Sequence, residues 1–298
     1  MALVASHRAG SREQQWTSLP WPDGKRFAFT IFDDPERQTV ASGRLVYSLL
    51  TDLGFRTTRG VWPLSPVRPP NTGGETCGNP LYVAHNVELQ RAGFEVGYHN
   101  ATLHSATRAE TVEAIHRFHG YFGHYPISMT NHRNEEAIYW GVARLTGWRR
   151  FAYSLATRRR PERSHFGHVR GHHAFWGDVC RSTIRYCRNF VYPDINTLRV
   201  CPWMPYHDPR RPYVRTWFAS SEGGDLRTFV ETISERNQDL LEAEGGACIM
   251  YTHFGMGFVQ HGQLDPRFRS LMRRLGKKKG WFVPVERCST GSPSGAST

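Results

Sequence analysis

Strand-like and helix-like stretches alternate along most of this chain, and that alternation constrains the fold more than any other feature. RFAFTIFD (26–33) is apolar and rich in β-favouring residues. Ala41, Leu45, Leu49, Leu50 and Leu53 follow at helical spacing, and Gly54 is placed to end the helix. FRTTRGVW (55–62) reads as a second strand, and PVRPPNTGGETCGNP (66–80) as a long turn-rich loop. A helix from Leu81 to Ala92, stopped by Gly93, leads into the strand FEVGYH (94–99). In TRAETVEAIHRFHGYFG (107–123), Thr107 and Glu110 form a capping-box pattern. PISMT (126–130) is strand-like and NEEAIYWGVARL (134–145) reads as helical. The pattern resumes with a helix near 226–243, the strand ACIMYTH (247–253), a helix near 264–275 and WFVPV (281–285). Such a series predicts an α/β fold around a parallel sheet, open or closed into a barrel.

The length, 298 residues, allows one large α/β domain or two average ones, and 39% hydrophobic with 13% aromatic content is enough for a sizeable core. No apolar run approaches the roughly 20 residues that span a bilayer. The opening MALVASHRAGSREQQW has no continuous apolar stretch of the secretory kind. The six cysteines are scattered with no C-x-x-C pair, which argues against a disulfide framework or a thiolate zinc site. A cytoplasmic protein with free thiols is the expectation.

Charge is uneven. The whole chain carries +12, and between Arg149 and Arg215 there are fourteen arginines, no lysine and four acids, a local excess of +10. This stretch, about 149–215, reads as an Arg-rich insertion that binds an anionic substrate, because arginine without lysine favours bidentate recognition of defined oxyanions. Nucleic acid, bound through arginine with interleaved aromatics, is the second choice of partner.

In α/β folds chemistry gathers at the C-terminal ends of strands. The polar residues at those places here are Asp33 and Asp34, His99 and His104, Arg133, and His253. One carboxylate and two imidazoles form a set that holds a metal ion with positions left open, and Asp34, His99 and His104 fit that description. Asp33 would then act as base on water, Arg133 would hold Asp33 as its carboxylate, and His253 would protonate a leaving amine. The stretch HFGHVRGHHAF (165–175) contains His165, His168, His172 and His173 but no acid, and reads as part of a substrate-binding segment. Trp176 and Asp178 beside it offer a stacking face and an acid suited to a sugar ring.

TIFDDPE, the H-N-A-T-L-H pair, Arg133 and the late MYTH together resemble, in that order, the polysaccharide deacetylases, or NodB-like carbohydrate esterases. The resemblance covers roughly residues 25–145 and 245–287. It implies a distorted (β/α) barrel, a divalent metal, most often zinc, and a hydrolase that removes N- or O-acetyl groups from a polysaccharide or activated amino sugar. Carried over by position, Asp33 is the base, Asp34, His99 and His104 hold the metal, and Arg133 and His253 complete the catalytic set. The sequence departs from the family pattern in Pro35, which stands where glycine is usual, and in Ile31, an extra residue between the threonine and phenylalanine. Four residues, rather than three, separate His99 from His104. The expected organisation is an N-terminal extension (1–24), a single barrel domain (25–287) and a disordered tail (288–298). The other reading left open is a catalytically silent barrel that binds an anionic glycan or nucleic acid through its Arg-rich insertion.

Overall fold

The computed structural model describes residues 21–145, 147–157 and 165–290. Seven parallel strands close into a barrel: β1 (Phe27–Asp33), β2 (Thr58–Val61), β3 (Glu95–Tyr98), β4 (Ser128–Met129), β5 (Tyr186–Tyr192), β6 (Thr216–Ser221) and β7 (Ala247–Thr252). They lie in sequence order, and β7 pairs back onto β1 over six residue pairs, from Ala28–Ala247 to Asp33–Thr252. A small antiparallel hairpin, β8 (Val259–Gln260) with β9 (Gln263–Leu264), follows β7. The last strand, β10 (Gly280–Trp281), pairs with Phe27 and Ala28. It sits there because β2 touches only Phe32 and Asp33 of β1. The barrel is therefore distorted on this side, as the sequence resemblance implied.

Helices fill the connections: α1 (Val40–Asp52), α2 (Pro80–Arg91), α3 (Arg108–Phe122), α4 (Gly147–Thr157), α5 (Gly177–Thr183), α6 (Thr197–Val200), α7 (Leu226–Thr232), α8 (Glu235–Glu244), α9 (Pro266–Gly276) and α10 (Val285–Thr290). The capping box read at Thr107 and Glu110 starts α3. Among the described residues no helix is long and apolar enough to cross a membrane. All six cysteines are free thiols, five of them buried.

Because β1 is flanked on both edges, all seven of its residues are buried, and its side chains alternate between two faces. Phe27, Phe29 and Ile31 pack outward against Val46, Tyr47 and Leu50 of α1. Phe32 turns inward and stacks on Phe218 of β6, 6.4 Å between centroids, within an inner cluster that includes Tyr186 and Ile249. Gly60 and Gly97 are register partners on β2 and β3, and a Cβ on Gly97 would stand 2.7 Å from the Phe32 ring. The two glycines make room for that ring.

Four sequence expectations change. Residues 134–145 form turns and a short 3-10 segment at Gly141–Arg144, held partly by Glu136 and Asn134 side chains reaching back to the preceding loop. The helix expected near 226–243 is two helices, with Ile233 and Ser234 between them. The stretch 149–215 is not one insertion, because it contains the barrel strand β5. Residues 288–290 belong to α10, whereas 291–298 lie outside the described residues, as do 1–20 and the arginines at 158–160 and 163.

Most of the described arginines in that basic stretch have partners within the protein. Arg199 pairs with Asp194 and Glu244, and Arg211 with Asp208. Arg181 donates to the carbonyl of Pro212, and Arg215 to those of Arg181 and Ser182. Backbone carbonyls thus serve as acceptors beside the described acids. α4 carries an exposed stripe of Trp148, Phe151 and Leu155.

Candidate active site

Register assembles the C-terminal mouth of the barrel. Tyr98 of β3 pairs with Met129 of β4, and Met129 with Cys187 of β5. One residue further on stand His99, Thr130 and Arg188, which therefore share a layer. On the other side Asp33 pairs with Thr252, so Asp34 and His253 leave their strands together.

The two adjacent acids part company at this point. Asp33, on the outer face of β1, accepts from the Phe254 amide at 2.9 Å and the Tyr47 hydroxyl at 3.0 Å. Its Oδ2 lies 3.6 Å from the buried Arg59 guanidinium, which is held between the rings of Tyr47 and Tyr82. Burial pushes the Asp33 carboxyl up to about 6 against the pull of Arg59. Asp34 points into the mouth. Arg188 grips both its oxygens, and the Thr130 hydroxyl donates to Oδ1 at 2.8 Å.

Glu36 is the focus of the site. It is buried, and Nε2 of His99 and of His132 lie 3.1 and 3.4 Å from its Oε1. Nε2 of His253 lies 3.5 Å from its Oε2, an ion-pair distance. Burial alone would raise the Glu36 carboxyl, but His99 and His253 outweigh it and hold it well below the usual range. His253 is anchored by Nδ1 on the carbonyl of Gly224 at 2.5 Å. Burial opposes its charge, but Glu36 and Asp34 prevail and lift its imidazolium to about 9. Burial moves His132 the other way, below its ordinary value, against the pull of Glu36.

Local chain geometry presents Glu36. The carbonyl of Pro35 accepts from the amide of Gln38, and Arg37 adopts φ +56°. Pro35, which departs from the usual glycine, thus opens a turn with Glu36 at its second position. Gly255 lies against that turn so closely that a Cβ there would be 2.3 Å from the Glu36 carbonyl oxygen. Trp62 walls the cluster, with its ring 5.5 and 5.9 Å from those of His99 and His132.

Of the residues singled out by sequence, the mouth brings together Asp34, His99 and His253. Asp33 faces the helix layer. His104 stands apart: its Nε2 accepts from the Val67 amide at 3.1 Å and its Nδ1 lies 2.9 Å from the Ser105 carbonyl, so it ties two loops together. Arg133 is exposed, and the arginines beside the two acids are Arg59 and Arg188. Trp176 is a core residue whose indole N–H donates to the Glu136 carbonyl. Asp178 is paired at the surface with Arg108. In the histidine-rich stretch, His168 accepts from the Tyr139 amide. His172 and His173 come together with Glu135, an acid contributed by a separate segment.

Glu36, His132, Thr130 and Arg188 are the residues that the sequence reading missed. Glu36 and His132 lie one or two positions from residues it chose, in the loops that the strand-end rule had already marked. Arg188 was hidden by treating its strand as part of an insertion.

Asp34, Glu36 and His99 form a buried group whose donor atoms lie within 4.8 Å of one another. Two carboxylates and an imidazole so placed are a donor set that fits a divalent transition metal.

No known family profile matches the chain, and no curated protein sequence matches it. Among solved structures, it is similar to a protein from Mycobacterium smegmatis described as a polysaccharide deacetylase, at 12% identity and TM-score 0.49, covering 92% of each chain. A mutant of the peptidoglycan deacetylase PdaC from Bacillus subtilis matches at 9% identity and TM-score 0.42, over 90% of this chain and 92% of that one. The polysaccharide deacetylase Bc1974 from Bacillus cereus matches at 10% identity and TM-score 0.37, over 87% and 91%.

Proposed function

We propose that this chain is a divergent deacetylase of the polysaccharide-deacetylase type, a metal-dependent hydrolase that releases acetate from an acetylated sugar. The observation that carries the reading is the buried Asp34–Glu36–His99 group at the C-terminal mouth of a parallel barrel, with His253 beside it. Zinc or a similar ion suits imidazole and carboxylate donors better than magnesium or calcium does. When bound, such an ion polarises the acetyl carbonyl and makes water acidic.

The protein's own groups supply proton transfer. Asp34 takes the base role that the sequence reading gave to Asp33. Arg188 and Thr130 occupy three of its roughly four lone-pair positions, which leaves one on Oδ2 to accept a proton from the attacking water. His253, its ring fixed by the Gly224 carbonyl and charged at neutral pH, gives a proton to the departing amine. Arg188 fixes the Asp34 side chain without belonging to the reacting set.

The test is acetate release from a panel of N- and O-acetylated glycans and activated amino sugars. Chelation and Asp34→Asn should each abolish it, and activity indifferent to both would defeat the reading.

A further inference from the structure

We propose that the metal-binding set of this mouth is Glu36 with Nε2 of His99 and His132, and that Asp34 buttresses His99 from outside it. This rests on the reading that a divalent ion works here.

The hydrogen bonds fix which nitrogen each ring offers. The Thr130 hydroxyl has one proton and donates it to the Asp34 carboxylate, so it accepts from Nδ1–H of His99, 2.7 Å away. In the neutral ring, Nε2 of His99 then turns its lone pair toward Glu36. For His132, Nδ1 lies 3.1 Å from Oδ1 of Asn134. That oxygen is an acceptor, because the Asn134 amide nitrogen donates to the carbonyls of Thr102 and His104. Nδ1 of His132 therefore carries the proton and Nε2 again offers its lone pair. With both rings neutral, two lone pairs face one carboxylate oxygen at 3.1 and 3.4 Å. A cation resolves that repulsion.

The spacing agrees. Ligands about 2.1 Å from zinc stand about 3.0 Å apart on an octahedron and about 3.4 Å apart on a tetrahedron. Asp34 cannot join through the same face of the ring, because it meets His99 on the Nδ1 side, 3.7 Å away, across Thr130. An imidazole that offers one nitrogen to a metal commonly passes its other N–H to a carboxylate or hydroxyl. The Asp34–Thr130–His99 chain has that form. The 2-His-1-carboxylate chemistry expected from sequence is retained, with Glu36 and His132 in the places given to Asp34 and His104.

The experiment uses the full chain loaded with zinc, desalted and examined without substrate. X-ray absorption at the zinc edge should count two imidazoles in the wild type, in Asp34→Asn and in His104→Asn, but one in His132→Asn. Metal affinity should fall further in Glu36→Gln than in Asp34→Asn, whose outer-sphere loss is about 10- to 100-fold at most. Wild-type protein that holds no zinc, two imidazoles persisting in His132→Asn, a count that falls in His104→Asn, or a larger affinity loss in Asp34→Asn than in Glu36→Gln would each overturn the assignment. Circular dichroism of each variant separates loss of a ligand from loss of fold. Metal bound in the expected pattern without acetate release from any glycan would defeat the deacetylase reading and leave this assignment standing.

Discussion

Asp33 and Asp34 are neighbours in the chain that point to opposite faces of β1: Asp33 faces Tyr47 and Arg59 in the helix layer, and Asp34 faces Arg188 and Thr130 in the barrel mouth. Their substitutions should therefore fail in different ways. Asp33→Ala strands the Arg59 guanidinium, which is fully buried, and should cost about 3–5 kcal/mol in chemical denaturation. Asp34→Asn should lose acetate release by at least about 100-fold. If Asp34→Asn were fully active and Asp33→Asn folded but inert, the two roles would have to be exchanged.

Gly255→Ala should uncouple the turn that carries Glu36. The new methyl would meet backbone, the Glu36 carbonyl at 2.3 Å and the Gln38 amide at 2.5 Å, and backbone cannot rotate aside as a side chain can. The expected outcome is lower zinc content together with about 1–3 kcal/mol of lost stability. Metal analysis after desalting checks it, and unchanged zinc content would contradict the role given to this turn.

A core substitution tests the inner packing independently of the site. Gly97→Ala places a methyl 2.7 Å from the Phe32 ring and 3.1 Å from the Ser128 carbonyl, and should destabilise by about 1–3 kcal/mol. Adding Phe32→Leu should recover part of that loss, so the two changes should be non-additive in denaturant titration. Strict additivity would mean that the ring is not what fills the space beside Gly97.

Glu95, at the N-terminal end of β3, makes a pH-dependent contribution. Burial, with the Glu286 charge adding to it, lifts its carboxyl from 4.5 to about 8, although the Thr58 hydroxyl and the Glu286 amide donate to it. Between those values the folded state keeps a proton that the unfolded chain has released. Stability from this group is complete below about 4.5 and declines as pH rises through about 8. Glu95→Gln removes that decline, so its stability relative to wild type should improve from about pH 5 to about pH 9 in denaturant titrations. A constant difference across that range would contradict the assignment.

Strand and helix alternation was enough to foresee a parallel sheet, and the strand-end rule marked the loops that build the mouth. Both are local signals: apolar runs, helical spacing and polar residues where a run stops. Pairing register was not legible, and register decides which of two adjacent acids faces the barrel interior. The same limit separates His132 from Arg133 and Glu36 from Asp34, since one position along a loop changes the direction of a side chain. Charge counting misread 149–215, because buried arginines and backbone carbonyl acceptors leave no mark in a net charge. Arg188 is the clearest case, a cation within a barrel strand whose partner lies 154 positions away.

The central claim is metal-dependent deacetylation, and its most direct measurement is acetate released by the purified protein from an acetylated glycan panel under three conditions: zinc-loaded, chelated and zinc-restored. The account predicts release in the first, loss in the second and recovery in the third. Zinc-loaded, folded protein that frees no acetate from any member of the panel would contradict it.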